Sequence, residues 1–343
     1  MEPTNLSAPG PPRAYDRWSR VTADAAVRVP ASTLRGYGRF SLYNSPYPAH
    51  DAGCAVDLYP EDNVGRSPVA GVVRETRTVR APGKPYAADE EYLLLIDVDR
   101  ERSGIRVDRK GGANLVARIL HVRPRVEPGE EVAVGDPLGP MIRSGFFAPW
   151  VANHVHLGFR EAGQNLHRAG GSLRVVADVD VEPLAWDGTG SVIDVGDTYA
   201  LLDSPTHPAP GERFAGIGGT VAGAAETEPR EPVRGDRVAE RQVALDGGLT
   251  HYAGGGALDG DRVASEQGAV SFLGRHVGDA DGRDVAWRDV DVVANGDRIT
   301  GLSLFAGLGP AVGVKLVCPE REFEIGDRVE VSVRESDDPI RLG

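Results

Sequence analysis

A chain of 343 residues is long enough for two domains, each burying its own core. Its formal charge of −13, from 51 acidic residues against 38 lysines and arginines, disfavours nucleic acid and anionic lipid as partners, because phosphate binding needs clustered cations. All but three of those 38 cations are arginine, the lysines being Lys84, Lys110 and Lys315. Scarce lysine with abundant aspartate is expected of a salt-adapted organism such as a haloarchaeon; an ordinary acidic protein is the alternative. Cys54 and Cys318 lie too far apart in sequence to suggest a disulfide framework or a metal knuckle. The first residues lack a basic region followed by an apolar one, and no stretch reaches the ~18 apolar residues of a spanning helix. The expectation is a soluble, cytoplasmic protein with no membrane insertion; the sequence is silent on oligomeric state.

In chain order, residues 1–33 are Pro-rich and polar, with a helix-like piece around Tyr15 to Ala26, and read as a tail or added element. Residues 34–187 form a series of short strands joined by Gly, Pro and Asp turns. Ser67 to Val73 opens one strand, Tyr92 to Val98 is an apolar run, and Leu115 to His121 and His154 to Phe159 are two more. Charged Arg100 to Gly112 reads as an exposed excursion between paired strands. Residues 188–343 are again strand-like, with Asn295-Gly296-Asp297 as a hairpin turn. Ser204 to Gly211 and Glu226 to Arg237 read as loops. The fold class expected is mostly β: an antiparallel β-sheet domain followed by a β-rich accessory domain. Gly254-Gly255-Gly256 opens no strand-to-helix phosphate loop.

Eight histidines are present. His154 and His156 stand two apart in an apolar run, so in a strand both imidazoles project from one face. Two buried imidazoles there need a metal or hydrogen bonds, although His-Val-His alone fits an exposed face equally well. His50 to Asp57 reads HxxGxAxD, with Asp57 a carboxylate amid Ala55, Val56, Leu58 and Tyr59. Imidazole and carboxylate are standard zinc ligands, and a catalytic site takes three protein ligands plus water. His121 ends an apolar strand and precedes Val126 to Gly139. Phe146, Phe147 and Trp150, just before the paired histidines, suit a groove wall or ordinary packing. His167, His207, His251 and His276 read as exposed or locally hydrogen-bonded.

These pieces together resemble the lysostaphin/LytM-type zinc metallopeptidases. In that family a histidine-bearing strand is followed by a V-x-x-G-D segment like the one around Val132 to Asp136, and then by a His-x-His strand. Ser67 to Val73 and Asp180 to Leu184 are similar to its P-V-x-A and closing V-x-P-L segments. The match spans roughly residues 45–186 in consistent order. HxxGxAxD itself is more similar to the first motif of the D-Ala-D-Ala carboxypeptidase and hedgehog-like branch. The resemblance implies Zn2+ held by His50, Asp57 and His156, with His121 and His154 as catalytic partners. Two departures stand out. The family spaces its first two ligands as H-x-x-x-D, so here His50 must sit on a turn or bulge before the strand. The aromatic expected two residues before His121 is Ile119.

The activity this resemblance implies is that of a zinc-dependent metallopeptidase acting on a peptide or peptide-like substrate. Zinc would lower the pKa of water from ~15.7 towards ~7 and polarise the carbonyl, with His121 and His154 handling protons and the oxyanion. A noncatalytic module keeping the peptidase fold, and a zinc hydrolase of other amides or esters, are the alternatives.

Overall fold

Alternating and short apolar runs dictate strands, and strands dominate the computed structural model, which describes residues 26–108, 114–223, 240–259, 267–310 and 312–342. About 50% of the chain is strand and 4% helix. The helix-like piece expected from Tyr15 lies almost wholly outside the described residues, as does the loop from Glu226 to Arg237. None of the described helices is long and apolar enough to cross a membrane.

The site is carried by an antiparallel sheet whose neighbours run β1 (Arg39–Ser41), β2 (Ala55–Tyr59), β6 (Val155–Glu161), β5 (Leu115–Leu120), β4 (Glu91–Val98) and β3 (Gly71–Val79). The register lines up one row across them: Ser41, Asp57, His156, Leu120, Leu93 and Arg77. Directly opposed residues share a face, so this row fixes what surrounds His156. The opposite face carries Val56, Leu58, Leu94, Ile96, Ala117, Ile119, Val155 and Leu157, all buried in one core. At the end of the segment read as a tail or added element, Ala26–Pro30 pairs in parallel with Arg174–Asp178, and Val27, Val29 and Leu34 are fully buried. The excursion after Arg100 contains a helical turn, Arg100–Ser103, capped by Asp99.

Later in the chain, β7 (Phe214–Gly223), β8 (Glu240–Leu249), β9 (Gly254–Leu258), β10 (Gln267–Phe272), β11 (Arg275–Asp281) and β12 (Asp284–Trp287) close a six-stranded barrel. Pairing runs β7–β10–β11–β12–β9–β8 and back to β7, which leaves no open edge in the ring. Asn295 and Gly296, at φ 50° and 86°, turn the hairpin between Val290–Ala294 and Asp297–Ile299. Two positive φ angles are what a type I′ turn requires, and Asn-Gly supplies them at little steric cost. A second core fills this half. The two halves share backbone: Ala306–Gly307 pairs with β1 on one side and with Ala215 on the other. Phe40 meets Phe214 edge to face across the same joint, with ring centroids 5.1 Å apart. Both cysteines are buried and free.

Candidate metal centre

His50 enters the site from a single helical turn, α1 (Pro48–Asp51), not from a strand. Pro48 at the first helical position presets φ, and Gly53 at φ 58° ends the turn in the left-handed conformation that glycine adopts without strain. The chain then enters β2, which carries Asp57. One helical turn followed by a reversal replaces strict strand alternation, so two residues seven apart converge.

The convergence is tight. His50 Nε2 lies 3.1 Å from His156 Nδ1 and 3.2 Å from Asp57 Oδ1, and His156 Nδ1 lies 3.0 Å from the same oxygen. Among the described residues this trio is the group of His, Cys, Asp or Glu side chains placed to hold a metal ion. Donors bonded tetrahedrally at ~2.0–2.2 Å sit roughly 3.3–3.6 Å apart, so small outward movements suffice to admit a cation. The donor chemistry also fits. His50 gives its Nδ1–H to the Leu42 carbonyl at 2.8 Å, which leaves Nε2 with a free lone pair facing the cluster. Burial holds His156 down to about 4, against the pull of Asp57. Asp57 is also opposed by burial, yet His154, His50 and the hydrogen bonds it accepts keep it well below the usual carboxylate range. An ionised carboxylate between imidazoles is a buried negative charge that a dication neutralises.

His154 and His121 flank the trio. Burial pushes His154 down to about 3. Its Nδ1 faces the Ala152 carbonyl at 2.9 Å and its Nε2 stands 3.4 Å from Asp57 Oδ2, while its ring stacks on Phe147. His121 lies 5.1 Å from His154 and 5.8 Å from His156, ring centre to ring centre. Its backbone sits at φ 70°, uncommon for a residue with a side chain. Glu91 secures that geometry by accepting from both the main-chain nitrogen of His121 at 3.0 Å and its Nδ1 at 2.9 Å. Ser144 Oγ and the Tyr92 nitrogen also donate to Glu91. Although burial opposes its charge, the bonds to His121 and Ser144 hold its carboxyl below the usual value.

Sequence reasoning missed Glu91, the last of the acidic run Asp89-Glu90-Glu91 that precedes the apolar run from Tyr92 to Val98. It also missed Asp246. This fully buried carboxylate on β8 accepts from Ser41 Oγ at 2.5 Å and from the Leu42 nitrogen at 2.6 Å. Leu42 in turn carries the carbonyl that orients His50, so a barrel residue braces a candidate ligand through one main-chain residue.

Above the trio opens a cleft of about 560 Å3, walled by Phe146, Phe147 and Trp150 and closed on the barrel side by Tyr252. Asn44 lines it with a buried Oδ1 that has no hydrogen-bond partner. Of the histidines read as peripheral, His167 is half-exposed against Glu75, His207 bonds the Arg213 carbonyl, and His276 bonds Gly278 and Asp279. His251 departs from that expectation. It is fully buried and neither ring nitrogen has a partner, because Trp150, Tyr252, Gly248 and Gly301 enclose it.

Residues 28–177 match the family model described as the N-terminal domain of a domain of unknown function, DUF8155, and residues 182–334 match its C-terminal counterpart. No curated protein matches the chain. A solved structure, the antimicrobial peptidase lysostaphin from Staphylococcus simulans, aligns with 12% identity over 75% of this chain and 89% of that one. Its TM-score is 0.20, a likeness too slight to bear on fold or function.

Proposed function

As a member of the two-domain DUF8155 family, this chain takes its functional reading from its own site, and we propose that it is a zinc-dependent peptidase. The observation carrying this reading is the buried trio His50, Asp57 and His156 at the floor of a cleft with two further imidazoles beside it. Two imidazoles and one carboxylate form the ligand set of a catalytic zinc, and the retained positive charge supplies Lewis acidity towards water and a carbonyl.

The chain's own residues do the rest. His121, its Nδ1 proton committed to Glu91, presents Nε2 as the basic atom and can take a proton from attacking water. Glu91 stabilises the imidazolium that results, and the same Nε2 can return the proton to a leaving amine. His154, whose Nδ1 proton is given to the Ala152 carbonyl, presents an unprotonated Nε2 beside Asp57 and can orient water by accepting a hydrogen bond from it. Phe147 stacks on His154 and fixes its plane. Trp150 and Tyr252 narrow the cleft over the ligands and reduce access of bulk water.

The test is a peptide-library digest with zinc-loaded full-length chain, followed by mass spectrometry. Cleavage should vanish on chelation, return with zinc, and be absent from the His154→Ala variant, which keeps its metal. Cleavage that persists in chelator, or no cleavage by metal-loaded protein across the library, would contradict the assignment.

A further inference from the structure

The cleft is cationic in a protein that is strongly anionic. Arg80, Lys84 and Arg118 line it. The carboxylate in the lining is Asp57, whose charge is taken up among the histidines. Other acids close by are engaged: Glu91 with His121 and Ser144, and Glu75 with His167. Lys84, one of three lysines in 343 residues, is placed here, its Nζ 3.5 Å from the Phe147 carbonyl.

Arg118 is the more informative residue. Its side chain on β5 is 5% exposed, and it donates to the Leu166 carbonyl at 2.8 Å and to Ser172 Oγ at 3.4 Å. Behind it Arg160, 2% exposed, gives its protons to the carbonyls of Asn165, Arg168 and Gly170. Both partner sets are neutral. Burial and the neighbouring Arg160 lower Arg118 to about 10, which still leaves it charged near neutrality. Among the described residues no carboxylate stands within ion-pair distance of either guanidinium. Burying a cation without a counter-charge is costly, and Arg118 lines the cleft, where such a charge can enter.

We infer that the cleft recognises an acidic peptide, with side-chain carboxylates flanking the scissile amide held by Arg118 on the floor and by Arg80 and Lys84 at the rim. Three cations spread between floor and rim suit several carboxylates along an extended chain better than a single terminal one. Arginine offers a planar fork to a carboxylate, whereas the lysine acts as a mobile point charge. This inference rests on the cleft being the peptide site proposed above.

It can be tested separately by binding. Fluorescein-labelled peptides made hydrolysis-resistant at one amide, carrying either Glu or Gln on both sides of it, are titrated into metal-free and zinc-loaded full-length chain. Fluorescence anisotropy should show at least about tenfold tighter binding of the Glu peptide, weakening as salt rises. The Arg80→Glu/Lys84→Glu double variant, altered at exposed positions, should lose that preference while keeping its metal content. Equal binding of the two peptides, no binding of either, or a preference untouched by the double variant would overturn the inference. A preference that follows only amidation of the peptide's C-terminus would overturn it too. Glu-selective binding of these peptides, with no cleavage of the matching unmodified Glu peptide by zinc-loaded protein, would instead sink the peptidase reading and leave this one standing.

Discussion

Glu91 holds His121 at two atoms, and that double grip sets what the imidazole can do. Replacing it by Gln keeps the shape but removes the charge that stabilises an imidazolium. We expect Glu91→Gln to keep its metal and to lose about 10–100-fold in kcat, the usual effect of removing a group that orients a functional histidine. Steady-state kinetics beside metal analysis checks this; unchanged turnover would make Glu91 merely structural. Individual residues were unevenly legible. His154 and His156 could be read from their spacing, since strand geometry puts both on one face. Asp57 stood out as a lone carboxylate in an apolar strand. Glu91 was hidden because its partner lies 30 positions away and its neighbours are acidic. His251 was misread because Gly-rich flanks usually mean exposure, whereas here Gly248 and Gly301 let the imidazole pack against bare backbone.

The turn α1 and strand β2 together make the ligand pair, and Gly53 joins them. A Cβ there would stand 2.7 Å from Arg283 Nη2 and 2.9 Å from the Tyr43 hydroxyl, at a φ that other residues adopt with strain. Gly53→Ala should therefore displace His50 and lower the unfolding free energy by roughly 1 kcal/mol or more, measured by chemical denaturation. An equally stable variant would mean that the turn relaxes freely. The brace from the barrel acts at this same scale. Removing the carboxylate in Asp246→Ala frees Ser41 and the Leu42 nitrogen, so the carbonyl on His50 is less well held. Zinc affinity should fall about 10–100-fold in a chelator competition, and an unchanged affinity would show the brace to be idle. Strands and the hairpin turn were readable because period and turn chemistry are local. Neither the brace nor the joint through Ala306–Gly307 could be read, since both depend on which distant strands lie side by side.

Across the whole molecule, the barrel half contributes to the cleft through Tyr252 and to the pH dependence of stability through His251. Burial drops His251 from an ordinary value near 6.5 to about 3, and Arg341 adds to the drop. Between those values the unfolded chain binds a proton that the folded chain excludes. The stability due to a neutral His251 is thus complete above about pH 6.5 and is lost as pH falls towards 3, by up to roughly 1.4 kcal/mol per pH unit. His251→Leu should flatten the fall in unfolding free energy between pH 6.5 and 4.5 by about one proton's worth, measured by urea melts. A slope equal to wild type would contradict this. At this scale composition foretold two β-rich halves, but not that they share one sheet. The central claim, that three side chains from α1, β2 and β6 converge to hold one metal, is tested most directly by metal analysis of purified, zinc-dialysed protein. Wild type and His121→Ala should each carry about one zinc per chain, while Asp57→Asn and His156→Ala should carry almost none. A metal-free wild type, or ligand variants that keep the full complement, would contradict the account.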